Sequence, residues 1–163
     1  MKKIILTAAA ILTAWSITAS ANGIGVVDMK MIFTKSPDVK SIKEKLNTQF
    51  TPEKNKLEKM GQALQADIAQ YQKNKAVMKP ADLAKLQSSI TAQETQFRTE
   101  QAKFQQEVFA AQNKSLADFM ASVKAAVKTV AEKDNLDLVI PNNDVLYSKD
   151  NKDITKEVLE NLK

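Results

Sequence analysis

Toward the end of the chain come five aspartates, Asp134, Asp137, Asp144, Asp150 and Asp153, and near its middle four lysines, Lys73, Lys75, Lys79 and Lys85, face one acid, Asp82. Grouped carboxylates suit either a calcium ion or general acid–base catalysis. Calcium needs several oxygens delivered by one short loop, and the spacing of a calcium-binding helix–loop–helix is absent. Most of these aspartates stand beside Asn, Pro and Ser, where a short acidic side chain caps a helix or closes a turn. No second group suggests a pocket in which a carboxylate would titrate usefully. The chain has no cysteine and no histidine, which removes thiolate and imidazole chemistry, the zinc sites built from them, and disulfides. Its three glycines form no phosphate-cradling loop. The expectation is therefore no enzyme, no cofactor and no metal. What remains is surface chemistry: the lysine cluster is suited to acidic polypeptide segments or to an anionic membrane surface, with an ordinary solvated helix end as the plain alternative.

The lysines sit at a break between two periodic segments. From Pro80 to about Glu132 apolar residues recur at Leu83, Leu86, Ile90, Phe97, Phe104, Val108, Ala111, Phe119, Val123 and Val130, in steps that follow one face of a helix. Such a helix is roughly 80 Å long at 1.5 Å per residue. From Pro52 to Met78 the same period runs through Leu57, Met60, Leu64, Ile68 and Tyr71. A short connection ending in Pro80 predicts that the two pack as an antiparallel hairpin, an arm. Thr51-Pro52 predicts a kink or restart in the ascending helix, and Gly61 a second weak point.

The two ends of the chain make a small body. Ile24 to Val27 predicts a buried strand, Asp28 a cap for a helical turn over 29–34, and Ser36-Pro37 the start of a helix bearing Val39, Ile42, Leu46 and Phe50. After the arm, Leu136 to Ile140 and Val145 to Tyr147 predict two strands of a hairpin turned at Pro141-Asn142-Asn143. Ser148 to Lys152 follows as a polar loop, and Asp153 opens a last helix with Ile154, Val158, Leu159 and Leu162 inward. Ahead of the body, Lys2 and Lys3, the apolar run Ile4 to Trp15 and Ala19-Ser20-Ala21 have the form of a secretory signal peptide cleaved between Ala21 and Asn22. The net charge of +5 falls by two if Lys2 and Lys3 leave with it, too little to indicate nucleic acid. The domain reading is 1–21 leader, 22–50 and 129–163 body, 51–128 arm. A body this small, with neither disulfide nor metal, is expected to be completed by copies of itself.

Ile24-Gly25-Val26-Val27-Asp28-Met29, Ala126-Val127-Lys128-Thr129-Val130-Ala131, Asp137-Leu138-Val139-Ile140 and Lys152 to Leu159, together with the leader, resemble the Skp or OmpH family of Gram-negative periplasmic chaperones. The likeness spans essentially the whole mature chain, and its end motifs are more specific than the arm. It implies a mainly α fold with a small β body, in which a long antiparallel helical-hairpin arm hangs from a short-stranded sheet that assembles as a trimeric barrel. It further implies an ATP-independent holdase, a periplasmic homotrimer enclosing unfolded outer-membrane proteins between its arms. The family's lipopolysaccharide site cannot be carried over, because nothing fixes the register mid-arm.

Candidate client contacts are Met60, Leu64, Tyr71, Met78, Leu83, Phe97 and Phe104 on the stripe, with Lys73, Lys75, Lys79 and Lys85 at the tip. For the apolar set the plain alternative is the seam between the two helices. Candidate association residues are Val26, Val27, Leu138, Val139, Ile140, Val145 and Tyr147. Two rival functions stay open: a structural or adaptor coiled coil of the cell envelope, and a protein binding anionic lipid such as lipopolysaccharide.

Overall fold

A computed structural model describes residues 23–149 and 151–162. The expected leader, its cleavage point at Ala21 and Asn22, and Asp150 lie outside the described residues. In chain order the elements are β1 (Gly23–Val27), α1 (Met29–Lys35), α2 (Pro37–Asn74), α3 (Pro80–Lys133), β2 (Leu136–Pro141), a 3-10 turn (Asn142–Asp144), β3 (Asn151–Asp153) and α4 (Thr155–Asn161).

Local chemistry sets most of these boundaries. The Asp28 carboxylate accepts from the Met31 amide at 2.9 Å and caps α1. Ser36 ends α1 and caps α2, with Pro37 in the first turn where its missing N–H costs nothing. Pro80 starts α3 by the same logic. At the far end of α3 the chain leaves through Asn135, whose φ of 52° is the left-handed turn that asparagine tolerates. Beside it Asp134 pairs with Lys152 Nζ at 2.9 Å and fastens β3 to the foot of the arm.

Two expectations are corrected. Of the kink or restart expected at Pro52, the restart does not occur: α2 runs unbroken for 38 residues with Pro52 inside it. The Thr51 hydroxyl donates to the Asn47 carbonyl at 2.6 Å, and flanking turns carry the helix past the amide that proline lacks. The hairpin expected between 136–140 and 145–147 does not form either. The segment Val145 to Tyr147 is not a strand; the third strand is Asn151–Asp153, and the sheet is wholly parallel in the order β2-β1-β3. β1 is therefore central and pairs on both sides, and the entire arm is its crossover to β2. All three β3 residues are exposed, so that strand is held by its backbone and not by an apolar face.

Alternation along β1 gives the sheet two faces. Val27, with Leu136 and Val139 from β2, turns toward the helices. Gly25 lies between them: a Cβ there would stand 2.8 Å from Leu136 Cδ1 and 3.1 Å from Val139 Cγ2, so glycine lets the two strands' side chains close. The core under this face is Ile32 of α1, Phe119, Val123, Ala126 and Val130 of α3, and Ile154, Val158 and Leu162 around α4. The last helix thus buries Ile154, Val158 and Leu162 and partly buries Leu159, and it starts at Thr155, two residues after Asp153.

Thr155 joins the two ends of the chain. Its buried hydroxyl accepts from the Asp28 amide at 2.8 Å and donates to Asp153 Oδ1 at 2.6 Å. Thr155→Val keeps the volume and leaves the Asp28 N–H unpaired, which should cost about 1–3 kcal/mol in urea unfolding. Wild-type stability in the valine variant would show that this hydroxyl does not hold the ends together.

Candidate functional site

From Pro37 to Asp118 no residue is buried, whereas α3 becomes buried at Phe119, Val123, Ala126 and Val130 where it meets the body. The arm is a two-helix rod about 60 Å long on its shorter side. Each helix can cover only one side of the other, so the stripe residues are half-hidden. Met60, Leu64, Tyr71, Met78, Leu83, Phe97 and Phe104 are all of this intermediate kind, and Lys73, Lys75, Lys79 and Lys85 are exposed. The stripe is the seam, as the plain alternative had it, and it remains partly open to solvent along its length.

A few specific contacts tie the rod together. The Phe50 and Phe104 rings meet edge-to-face with centroids 5.9 Å apart, and at the root Phe33 and Phe119 stand 5.1 Å apart. Gln93 donates to Asp67 Oδ2 at 2.6 Å, and Lys56 Nζ donates to Glu100 Oε2 at 2.9 Å. The Lys56 hydrogen bond, then its charge, then more weakly Lys103, hold the Glu100 carboxyl below the ordinary glutamate range. Both partners are solvent-accessible, so the pair fixes register more than it stabilises.

Several apolar side chains project clear of the seam, and the periodic pattern missed them. Phe109 is 65% exposed, Leu116 50%, and Val77, among the tip lysines, 83%. Phe109 lies about 100° round the helix from Val108, and Leu116 about 60° round from Phe119.

The second candidate surface is the sheet face away from the helices. Ile24 pairs with Leu138 and Val26 with Ile140, which places the four on that face. Val26 is buried, but Leu138 is 50% exposed, and beyond the sheet Leu146 and Tyr147 stand free. Of the expected association residues, Leu138, Ile140 and Val26 thus share one face, Val27 and Val139 belong to the core side, and Val145 and Tyr147 lie in the irregular segment after the 3-10 turn. Among the described residues there is no cluster of acidic side chains able to hold a metal, and no helix is long and apolar enough to cross a membrane.

A model of the family described as "Outer membrane protein (OmpH-like)" matches residues 23–162. The chain belongs to this OmpH-like family. It is 32% identical to a Pectobacterium atrosepticum protein named "Chaperone protein Skp", over 94% of this chain and 93% of that one. It is 30% identical to the protein of the same name from Escherichia coli K12, over the full length of both. The fold matches a crystal structure of an OmpH-like protein from Caulobacter crescentus with a TM-score of 0.75 at 17% identity, covering 86% of this chain and 83% of the other.

The Lys56–Glu100 contact has a direct readout. Because the folded value of Glu100 is lowered, whatever the contact contributes is present above the ordinary glutamate pKa and is lost as pH falls through the lowered one. In a carboxyl NMR titration Glu100 should titrate below the ordinary glutamate range, and Lys56→Met should move it back up toward that range. No change on that substitution would mean that the pair does not persist in solution.

Proposed function

We propose that this protein is an ATP-independent periplasmic holdase, a homotrimer whose arms enclose unfolded outer-membrane β-barrel proteins and keep them from aggregating until insertion. The observation that carries the reading is the separation of core from arm. Among the described residues the buried apolar side chains lie in the sheet, in α1, around α4 and in α3 from Phe119 onward, and the rest of the arm offers two long helices whose apolar groups stay partly accessible. Many weak contacts spread over several such arms would hold an unfolded chain by avidity and still release it. The chaperone name of the full-length relatives supports the same reading.

Association would use the open sheet face. The apolar patch of Ile24 on β1 with Leu138 and Ile140 on β2, beside the free edge of β2, is a surface that a monomer seldom leaves in water. Leu138→Asp alters a side chain that is half exposed in the single subunit, so its effect on assembly is separable from unfolding. Sedimentation should show the trimer replaced by folded monomer, and light scattering should show weaker protection of a β-barrel diluted from denaturant. A wild-type protein that fails to suppress that aggregation would end the holdase reading in favour of an envelope adaptor.

A second reading concerns the tip. Val77 projects from a turn ringed by the exposed Lys73, Lys75, Lys79 and Lys85, a combination that fits an anionic membrane surface or lipopolysaccharide. Cosedimentation with vesicles rich in anionic lipid should fall when the four lysines are changed to glutamine. Equal binding by both proteins would leave the tip as a plain helix connection.

A further inference from the structure

Two shallow grooves run along the root half of the arm. The one nearer the body, about 160 Å³, is walled by Phe33, Val39, Ile42, Leu116 and Phe119; the other by Phe50, Phe104 and Val108. Leu46 and Gln112 line both, so the grooves join into one trough. From Phe104 to Phe119 it follows α3 for about 22 Å, the span of six or seven extended residues at roughly 3.3 Å each. Leu116 stands half exposed in its wall.

The charged side chains that line the trough itself are of one sign. Lys43 lines the inner groove and Lys54 the outer one, and no acidic residue lines either. Both walls of the trough are apolar, and its open side is water. An extended chain laid in it buries every second side chain and leaves the alternate ones in water beside the two lysines. A continuously apolar segment would leave half of its groups exposed, and a basic one would be repelled. Another copy of this chain, still positive at +3 once Lys2 and Lys3 leave (5 − 2), is poorly matched to lysine rims.

Resting on the holdase reading above, we infer that the trough is the seat for extended client segments in which apolar residues alternate with polar and acidic ones. That is the side-chain order of a membrane-barrel strand, whose apolar residues face lipid and whose polar ones face the lumen. The trough then selects clients by period as well as by hydrophobicity, and the exposed seam farther out adds weaker, less discriminating contacts.

The test uses the full protein and two fluorescein-labelled nonapeptides of identical composition, one alternating leucine with aspartate and serine, the other with its leucines in a block. Fluorescence anisotropy should show the alternating peptide bound about tenfold more tightly than the block peptide. Leu116→Glu, and separately the double change Lys43→Glu with Lys54→Glu, should each weaken the alternating peptide about tenfold without altering the melting curve or the sedimentation profile. Equal affinity for the two peptides, or undiminished binding by both variants, would overturn the assignment. A smaller species for Leu116→Glu in sedimentation would also overturn it, making the trough an interface between copies. If the wild type still suppresses β-barrel aggregation in those cases, the trough alone is lost; if it does not, the holdase reading goes with it.

Discussion

Two packed helices have no interior. Each shields one stripe of the other, and every remaining position faces water, so a hairpin of this length gains little from its own burial. The protein meets this constraint by placing its large buried side chains where a third layer is available. Phe119, Val123 and Val130 are buried because α1 and α4 close over them, whereas Phe104 and Phe97, on the same helix and of the same kind, stay half exposed. Position along one helix, and not residue type, decides which apolar groups become core and which remain surface.

The body is built by the two ends of the chain. β1 enters between β2 and β3, so residues separated by the whole arm become hydrogen-bonded neighbours. Thr155 and Asp153 then bind the start of α1 to the start of α4, and Lys152 binds the foot of α3 through Asp134. The Thr155 hydrogen bonds are directional, and they tie the start of α1 to the start of α4. The apolar groups supply the attraction but could repack; the hydroxyl and carboxylate contacts define one arrangement.

The helices were legible in the sequence because each signal was local and strong. Period, proline at the first turn, and Asp28 and Ser36 as caps marked α1 and the starts of α2 and α3, whereas the ascending period was followed to Met78, four residues past the end of α2 at Asn74. Pro52 misled because proline weakens a helix interior without necessarily ending it, and a helix packed along its length against a longer neighbour keeps going. The sheet was half legible. Leu136 to Ile140 carried an apolar run, but Asn151-Lys152-Asp153 has none, since an exposed edge strand is specified by backbone pairing to β1 and by the contacts of Asp153 and Lys152. Val145 to Tyr147 has the side chains of a strand and no free partner within the subunit, because both edges of β1 are occupied. On the arm the stripe was visible, with the seam as its plain alternative; Phe109 and Leu116 were not picked out, because a search for one helical face discards apolar residues that fall off it, and Val77 lies in the connection between the helices.

The division between a packed body and an arm without a core is measured most directly by amide hydrogen exchange of the full protein, alone and with an unfolded β-barrel. Strong protection should be confined to β1, α1, α4 and the part of α3 beyond Phe119. Amides between about residues 45 and 115 should exchange orders of magnitude faster and slow only when the barrel is added. Uniform protection along α2 and α3 in the free protein, or an arm whose exchange ignores the barrel, would contradict the account.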